Sequence, residues 1–205
     1  MRTKNTNLKM KKSLNDNRIF DNNILERLSK TNAYLIIIAY TVISLVILFY
    51  SSFKTDLSIL FQITLFIEGL IFYSFIEYVV HRYLFHSNKT ANKGNLSNRL
   101  HHIHHDRPRD KKRLALPLPI GLILAFLLYL LFWLILGNYT PFFFPGFIIG
   151  YALYLLIHYF IHTRRPPKNM FRVLWTNHYF HHYKDDKKAF GVTSPLWDII
   201  FKTTT

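Results

Sequence analysis

Four histidines stand close together in the middle of the chain, within residues 101–105. On a helical turn, His101, His104 and His105 occupy positions i, i+3 and i+4, so their rings project from one face. Neutral imidazole is a good ligand for iron, zinc and copper, so three converging rings indicate part of a metal site. A solvated basic loop or an expression tag is the simpler alternative, but a tag is terminal and uniform, whereas this run is internal. His102 points off the shared face and is not expected to bind metal.

Ten of the 11 histidines fall into four clusters, two of which repeat the i, i+3, i+4 spacing. His81 and His86 are five residues apart, so either the helix distorts there or His86 lies in the following turn. Ten imidazoles exceed what one metal can accept, whereas two metals could use them and leave positions open for oxygen or water. We therefore expect a dinuclear, nitrogen-rich centre, although spacing does not assign each ring to a metal. The predicted ligands are His81, His86, His101, His104, His105, His158, His162, His178, His181 and His182.

Carboxylates are sparse beside these histidines, unlike in the soluble di-iron bundles, which depend on glutamates. Glu77 lies four residues before His81, where it could orient that ring and set its tautomer, or instead pair with Arg82. Glu68 is about two and a half turns earlier, too far for ligation, and we expect it to face the bundle interior. Three further candidates for supporting groups are Asp110, Asn177 and Asp198.

The composition restricts the class of protein. Half of the 205 residues are hydrophobic and 17% are aromatic, yet 26 Lys+Arg stand against 11 Asp+Glu. This combination indicates a membrane protein before a nucleic-acid binder. The chain has no cysteine, which excludes disulfides, iron–sulfur clusters and thiolate sites, and leaves histidine and carboxylate as the strong metal ligands. Since the positive charges are split among membrane-adjacent segments, anionic lipid head groups are better partners than nucleic acid.

Four apolar stretches are each long enough for a transmembrane helix, which takes about 20 residues. Short turns around Lys54 and Gly137 join them in two hairpins. Packed core helices of a soluble protein are the alternative. The expected architecture is an all-α integral membrane protein with a cytoplasmic histidine-rich helical cap. The four expected spans are about 33–53, 57–80, 114–136 and 141–161.

The distribution of basic residues predicts the orientation of these spans. Lys and Arg number eight in residues 1–32, nine in residues 82–113 and eight after Ile161, whereas the two hairpin turns contain only Lys54. By the positive-inside rule, both termini and the central segment face the cytoplasm, which requires an even number of crossings. All four histidine clusters then lie at one membrane face.

Two regions are expected from these patterns. Residues 1–32 are basic, rich in asparagine and expected to be flexible, with a short interfacial helix around residues 24–28. Residues 33–205 are expected to form one membrane-integral domain. No convincing signal peptide precedes the first apolar stretch, which is too long and lacks a small-residue cleavage site.

The order of the histidine boxes, His-x4-His, His-x2-His-His, His-x3-His and His-x2-His-His, resembles the membrane-bound fatty acid hydroxylase and sterol desaturase superfamily. The string from Glu77 to His86 is similar to the first box of its fatty acid 2-hydroxylase branch. Residues 101–105 are followed by Asp110, Arg113-Leu114 and Pro117 at the spacing of that branch. Phe190-Gly191-Val192-Thr193-Ser194 with Trp197-Asp198 is similar to its C-terminal signature.

The resemblance covers about residues 33–203 and implies four membrane spans with two metals, expected to be iron, held by the ten histidines. It implies hydroxylation of the carbon next to the carboxyl or amide carbonyl of a long acyl chain, with O2 and two electrons. Purified material could instead carry zinc, since raw affinity does not select iron. The acyl chain would enter laterally from the bilayer.

The chain departs from the resemblance at its N-terminus, where eukaryotic members often carry a cytochrome b5 domain. Only 32 polar residues precede the first apolar stretch, so we expect a separate electron carrier: a cytochrome b5-like protein, a ferredoxin or a flavodoxin. Such a carrier could dock on the basic face through complementary charge. A chain of this type is expected in a bacterial cytoplasmic membrane.

Several alternatives stay open at this point. Carotenoid hydroxylases and sterol-modifying oxidases or desaturases use similar boxes, so the expected reaction is better supported than the expected substrate. A zinc transporter would need ionisable residues along its spans, and only Glu68 qualifies. A zinc-dependent membrane hydrolase would need fewer histidines and usually an adjacent general base.

Overall fold

The computed structural model describes residues 22, 23, 26, 30–86, 101, 104–112 and 114–205. The predicted interfacial helix lies almost wholly outside these residues, as do His102 and Arg113. The described helices are α1 (Ala33–Ser52), α2 (Ile59–Val79), α3 (Leu118–Leu136), α4 (Thr140–Thr163), α5 (Arg172–Tyr183) and α6 (Leu196–Ile200). A π-helical turn, Val80–Phe85, continues α2, and a 3-10 turn, Gly137–Tyr139, separates α3 from α4.

Long apolar helices dominate the described residues. Three continuous helical segments among them are long and apolar enough to cross a membrane: Ala33–Ser52, Ile59–Phe85 and Leu118–Thr163. Many large apolar side chains on their outer faces are exposed, such as Val46 and Leu134. An exposed apolar belt of this kind suits contact with lipid tails rather than water. The chain is therefore a helical membrane protein.

The third segment, of 46 residues, doubles back on itself. Gly137 has a φ of +53°, a conformation that side chains with a Cβ rarely adopt and that ends α3 sharply. Beyond this turn α4 packs along α3, because the Phe132 ring lies 5.2 Å from that of Phe143 and 5.3 Å from that of Phe147. Three residues earlier on α3, the Tyr129 ring lies 5.2 Å from that of Phe144, one residue later on α4 than Phe143. Residue numbers thus fall along α3 as they rise along α4, which is the arrangement of an antiparallel hairpin.

Helix α4 is the centre of the bundle, since it packs against α1, α2 and α3. Its contact with α2 is close because glycines face the partner backbone. A Cβ at Gly69 would lie 2.0 Å from the Phe143 carbonyl oxygen, and one at Gly146 would lie 1.9 Å from that of Phe66. Helices without side chains at their crossing can approach closely, which is the usual means of helix association in membranes. The two long helices that carry histidines at their ends are thus held at a set separation.

One expectation about the bundle was wrong. Glu68 does not face the interior; its side chain is exposed on the outer face of α2. The next residue, Gly69, occupies the interior position against α4. A carboxylate could not fit at the glycine crossing, so Glu68 lies about 100° around the helix from that contact.

The C-terminal residues cover the end of the bundle that carries the histidines. The Trp197 ring packs 4.8 Å from that of Phe75, and its indole N–H donates to the Ser74 hydroxyl at 2.9 Å. Phe201 stacks on Tyr78, with ring centroids 5.2 Å apart. These contacts pack α6 and the residue after it against α2, and they fix the preceding loop beside that helix.

We expect Gly69→Ala and Gly146→Ala each to destabilise the protein by about 2–3 kcal/mol, because each added methyl meets backbone that cannot move aside. Gly121→Ala is the matched control, since its Cβ would meet the hydroxyl end of the Tyr40 side chain, at 2.7 Å, and no backbone of another helix. Reversible unfolding of the purified variants in mixed micelles measures the difference. An equal loss in Gly121→Ala would contradict the close crossing of α2 and α4.

Candidate metal centre

The ten histidines predicted as ligands come together in two groups of five. The first histidine group is His81, His86, His101, His105 and His181. The second histidine group is His104, His158, His162, His178 and His182. Within each group, one ring nitrogen from every member lies within 4.8 Å of the others. Four stretches that are far apart in sequence therefore supply two compact sets of imidazoles.

The tertiary structure divides two of the sequence clusters between the groups. His101 and His105, one full turn apart, join the first group, whereas His104 between them joins the second. In the same way His178 and His182 lie in the second group and His181 in the first. Residues i and i+4 lie nearly above one another on a helix, whereas residue i+3 is rotated by about 100° from residue i+4 around the helix axis. The central stretch and α5 thus each face both groups.

His81 and His86 reach the same group because the helix distorts between them. The His86 N–H donates to the His81 carbonyl at 3.2 Å, a bond across five residues. This wider π-helical turn places residues five apart nearly above one another, and such turns are common at functional sites. Of the two arrangements considered from the sequence, the structure contains the helix distortion.

The distances between ring nitrogens fit metal ions at the two centres. In the first group, the Nε2 atom of His101 lies 3.1 Å from that of His81 and 2.9 Å from those of His86 and His105. In the second, the Nε2 atom of His162 lies 3.1 Å from that of His158. Ligands about 2.1 Å from one ion and at about right angles to each other are separated by about 3.0 Å. The residues present therefore fit one metal ion in each group.

The hydrogen bonds of the outer ring nitrogens hold the first group in orientation. His81 Nδ1 lies against the Phe190 carbonyl oxygen, and His181 Nδ1 donates to the Lys188 carbonyl at 2.7 Å. His86 Nδ1 is 3.7 Å from a carboxylate oxygen of Asp186. A proton held on Nδ1 leaves the Nε2 lone pair free for a metal, which is how outer partners set the tautomer of ligating histidines.

The second group contains buried nitrogens without hydrogen-bond partners among the described residues. Both ring nitrogens of His104 and of His182 are in this condition. A buried polar atom without a partner is costly, and a metal ion bound at one nitrogen would remove part of that cost. Between the groups, the His105 and His182 rings stack at 4.1 Å, so the two sets are in direct contact.

Burial favours the neutral form of these rings. Desolvation, reinforced by the surrounding imidazoles, holds the pKa of His101, His104 and His178 well below 6.5. A charged imidazolium would be repelled by its neighbours, and only the neutral ring has a lone pair for a metal. The site is thus in its metal-binding protonation state near neutral pH.

Glu77 supports the site through the C-terminal loop rather than by contact with His81. Its carboxylate accepts hydrogen bonds from the Val192 N–H at 2.6 Å and from the Thr193 N–H and hydroxyl at 3.0 and 2.6 Å. It does not pair with Arg82, whose guanidinium donates to the Tyr78 hydroxyl at 2.7 Å. Neither contact considered from the sequence is formed, because the folded loop presents three donors to this carboxylate.

Asp198 holds the same loop from the other side. It is fully buried and accepts from the Phe190 and Gly191 N–H groups at 2.9 and 2.8 Å, and from the Thr203 hydroxyl at 2.7 Å. The Phe190 N–H is thereby fixed, and with it the carbonyl that contacts His81. Asp198 is therefore a supporting group that acts through the backbone.

The other two supporting candidates lie outside the ring contacts. Asp110 accepts from the Lys112 N–H at 3.1 Å and so closes a turn in the loop. Asn177 is buried on α5, directly before His178. Sequence reasoning missed the carbonyls of Lys188 and Phe190 and the side chain of Asp186, because backbone acceptors leave no mark on residue type. Asp186 and Lys188 lie between the last histidine box and the C-terminal signature, which begins at Phe190, and this position is the one available signal.

The fold and the site define an integral membrane protein with two polyhistidine centres able to hold metal ions. Comparison with known sequences gives the family: the sequence model described as fatty acid hydroxylase matches residues 66–203. The chain belongs to the fatty acid hydroxylase family.

Its relatives include enzymes that act on ceramide and fatty acyl groups, by their names. It is 38% identical over 186 residues to the ceramide very long chain fatty acid hydroxylase scs7 of Schizosaccharomyces pombe, covering 88% of this chain and 53% of that protein. Identity to the dihydroceramide fatty acyl 2-hydroxylase FAH1 of Arabidopsis thaliana is 35%, covering 67% and 59%. Identity to the fatty acid 2-hydroxylase of Mus musculus is also 35%, covering 69% and 39%. The chain thus spans about half the length of these relatives.

A solved structure shares the fold. Full-length scs7p, of which only the hydroxylase domain is visible, superposes with a TM-score of 0.79 at 33% sequence identity. The match covers 89% of this chain and 70% of that one. The similarity therefore extends over almost all of the chain.

We expect His181→Ala to lower the metal content of the first group and His104→Ala that of the second, each by up to one ion per chain. Each ring contributes to one group only, so the five ligands of the other group remain. Enzymatic activity should fall by at least about 100-fold in both variants, since changes to groups outside the ligands already cost up to that factor. Elemental analysis and an activity assay of the purified variants measure the two effects.

His102→Ala is the control, because the sequence predicts that His102 points away from the face shared by His101, His104 and His105. It should keep its metal and its activity. Full turnover in His104→Ala, or complete loss in His102→Ala, would contradict the predicted ligand set.

We expect Glu77→Gln to reduce activity by about 10–100-fold, the usual effect of changing a group that orients a ligand. The amide accepts less strongly than a carboxylate, so the loop that carries the Phe190 carbonyl would loosen and His81 would lose its orientation. Metal loss should be confined to the first group. Asp110→Asn, at a carboxylate that closes a remote turn, is the control, and equal losses in both variants would exclude this role for Glu77.

Proposed function

We propose that the chain is a membrane hydroxylase that adds one oxygen atom to C2 of a long-chain acyl lipid, a fatty acid or a ceramide-type amide. One observation carries the proposal: two groups of five histidines, each ring buried or half-buried, lie in contact at one end of the apolar bundle. The names of the relatives add the C2 position and the acyl substrate. The balanced reaction takes O2, two electrons and two protons, and yields the 2-hydroxy acyl product and water.

We infer that the two bound metals are iron in the working enzyme. All ten donors are imidazole nitrogens, and no thiolate is available, since the chain has no cysteine. Bound iron would supply the redox chemistry that activation of O2 against an unactivated C–H bond requires. Zinc could replace it in purified material, because imidazole binds both ions.

The protein's own residues have three tasks in this proposal. The imidazoles hold the metals, and the Phe190 and Lys188 carbonyls fix the tautomers of His81 and His181. The loop anchored by Glu77 and Asp198 excludes water from the first group, since Phe190 and Val192 are almost fully buried. Exclusion of water from an active site prevents side reactions.

We propose that residues 33–205 form the hydroxylase domain and cross the membrane four times. The support is the 3-10 turn at Gly137–Tyr139 and the antiparallel packing of α3 on α4. With the distribution of Lys and Arg, four crossings put both termini and the histidines on the cytoplasmic side. The bacterial cytoplasmic membrane stays a prediction from the sequence.

The electron donor in this proposal is a separate acidic carrier, such as a ferredoxin, a flavodoxin or a cytochrome b5-like protein. The support is the charge of the histidine-bearing end, which includes exposed Arg172, Lys184 and Lys187. Complementary charge would accelerate docking of such a carrier and make it sensitive to salt.

Expression of the chain with a reducing partner should give acyl lipids that are heavier by one oxygen atom at C2. The physical reason is that both metal groups and the lipid-facing bundle are complete in this chain. Lipid mass spectrometry with fragment analysis locates the oxygen, and growth under 18O2 identifies its source. Cells expressing His104→Ala are the negative control. Oxygenation of carotenoid or sterol in place of acyl chains would overturn the proposed substrate class, and retention of the label in the His104→Ala cells would overturn the proposed site.

A further inference from the structure

A basic cavity of about 560 Å³ adjoins the second histidine group. It lies between the C-terminal end of α4, α5 and the loop before α3. Its volume falls within the range of sites for small molecules, about 300–1,000 Å³. The residues that matter here are Arg109, Lys111, His162, Arg164, Arg165 and Tyr179.

Four cations meet around this cavity without a carboxylate. Among the described residues the ion pairs are Lys30 with Glu26 and His86 with Asp186, so none involves these four cations. Aromatic rings hold two of them instead: the Arg164 guanidinium lies 4.1 Å from the Phe160 ring centroid, and the Lys111 ammonium 6.0 Å from that of Tyr159. Like charges gathered in this way repel one another, and a bound oxyanion would offset the repulsion through charge-assisted hydrogen bonds.

The cavity is also in contact with the reaction site. His162 lines it and belongs to the second histidine group. The Tyr179 hydroxyl, on another wall, donates to the Ile161 carbonyl at 2.9 Å, which ties α5 to the last turn of α4. A ligand in the cavity therefore lies directly beside a ring proposed to bind metal.

The position of hydroxylation determines which end of the substrate lies there. In the proposed function, the reacting carbon is C2, bonded directly to the carbonyl carbon. The head of the acyl lipid, and not its tail, must then lie within a few bonds of the metal groups. The basic cavity beside His162 is in that place, whereas the apolar tail belongs to the bundle and the bilayer.

We propose that this cavity binds an oxyanion in the head of the acyl substrate, a carboxylate or a phosphate, so that the enzyme prefers an anionic acyl lipid to a neutral ceramide. This inference rests on the proposed function. A free fatty acid would supply a carboxylate, and a phospholipid or an acyl thioester of coenzyme A would supply phosphate. Arg164 and Arg165 would bind either group by two hydrogen bonds from each guanidinium.

Binding to the purified, detergent-solubilised full chain tests the proposal independently of turnover. The probes are palmitate, dipalmitoyl phosphatidic acid, palmitoyl-coenzyme A and N-palmitoyl ceramide, each titrated while Kd is measured. We expect at least one anionic probe to bind about tenfold or more tightly than the ceramide, the usual order for hydrogen bonds to a charged group. The probe that binds most tightly distinguishes carboxylate from phosphate, and the lipid from the soluble thioester.

The double variant Arg164→Gln/Arg165→Gln should lose about tenfold or more in affinity for that anionic probe and keep its affinity for the ceramide. Arg109→Gln/Lys111→Gln removes charge from a loop and keeps the test valid if the first variant fails to fold. Lys168→Gln/Arg172→Gln is the matched control, because it removes two exposed cations that do not line the cavity. It should bind as the unmodified protein does.

Three results would overturn the proposal. One is ceramide binding as tight as that of every anionic probe. A second is an equal loss of affinity in the Lys168→Gln/Arg172→Gln control, which would show general surface attraction. The third is a cavity variant that changes only the apparent affinity for the electron carrier, which would make the cavity a protein-docking surface. Tight anion binding without oxygenation of any acyl lipid would support the cavity and overturn the proposed reaction, so the two failures are distinct.

Discussion

Ten imidazoles, buried or half-buried side by side, are the feature on which the rest of this structure depends. Each ring must lose water, stay neutral and direct one nitrogen toward its neighbours. Within the described residues, few of these rings bond to the backbone, so the surrounding helices and the C-terminal loop must hold them in place. His105 stacks directly on His182, which means that a shift in one group is transmitted to the other. The arrangement suits metal ions, whose binding would supply the missing partners of the buried nitrogens.

At the membrane end of the site, rigid packing of the helices holds the imidazoles in place. Gly69 and Gly146 let α2 and α4 approach until backbone meets backbone, and the two helices then carry His81 and His158 to the same end. The π-helical turn after α2 adds the one adjustment needed, since it brings His86 onto the side occupied by His81. The same packing leaves the outer faces apolar, which connects the two histidine groups to the bilayer from which the proposed acyl substrate would come.

At the other end of the site, the C-terminal loop holds the imidazoles of the first histidine group in place. Glu77 on α2 and Asp198 on α6 accept six hydrogen bonds, four from backbone N–H groups of residues 190–193 and two from the hydroxyls of Thr193 and Thr203. Two carboxylates that look like candidate catalytic groups thus serve to hold the backbone. The loop in turn offers the Phe190 carbonyl to His81. Positive charge gathers instead beside the second histidine group, around the cavity that Arg164 and Arg165 line. An apolar substrate tail would thus approach from the bilayer, and an anionic group from this basic side.

The residue types alone determined the donor set, the all-helical membrane class and the spacing that brings rings to one face, because helical periodicity and hydropathy are local properties. His101, His104 and His105 could be identified as partners from their spacing. Their division between two groups could not, because it depends on where α4 and α5 lie relative to the central stretch. The sequence also left open whether the helix distorts before His86, and it misplaced Glu68, whose neighbour Gly69 takes the interior position. The partners of Glu77 are more than a hundred residues away in the chain, and only the tertiary structure decided them, because hydrogen bonds to a distant backbone depend on the packed geometry and not on residue type.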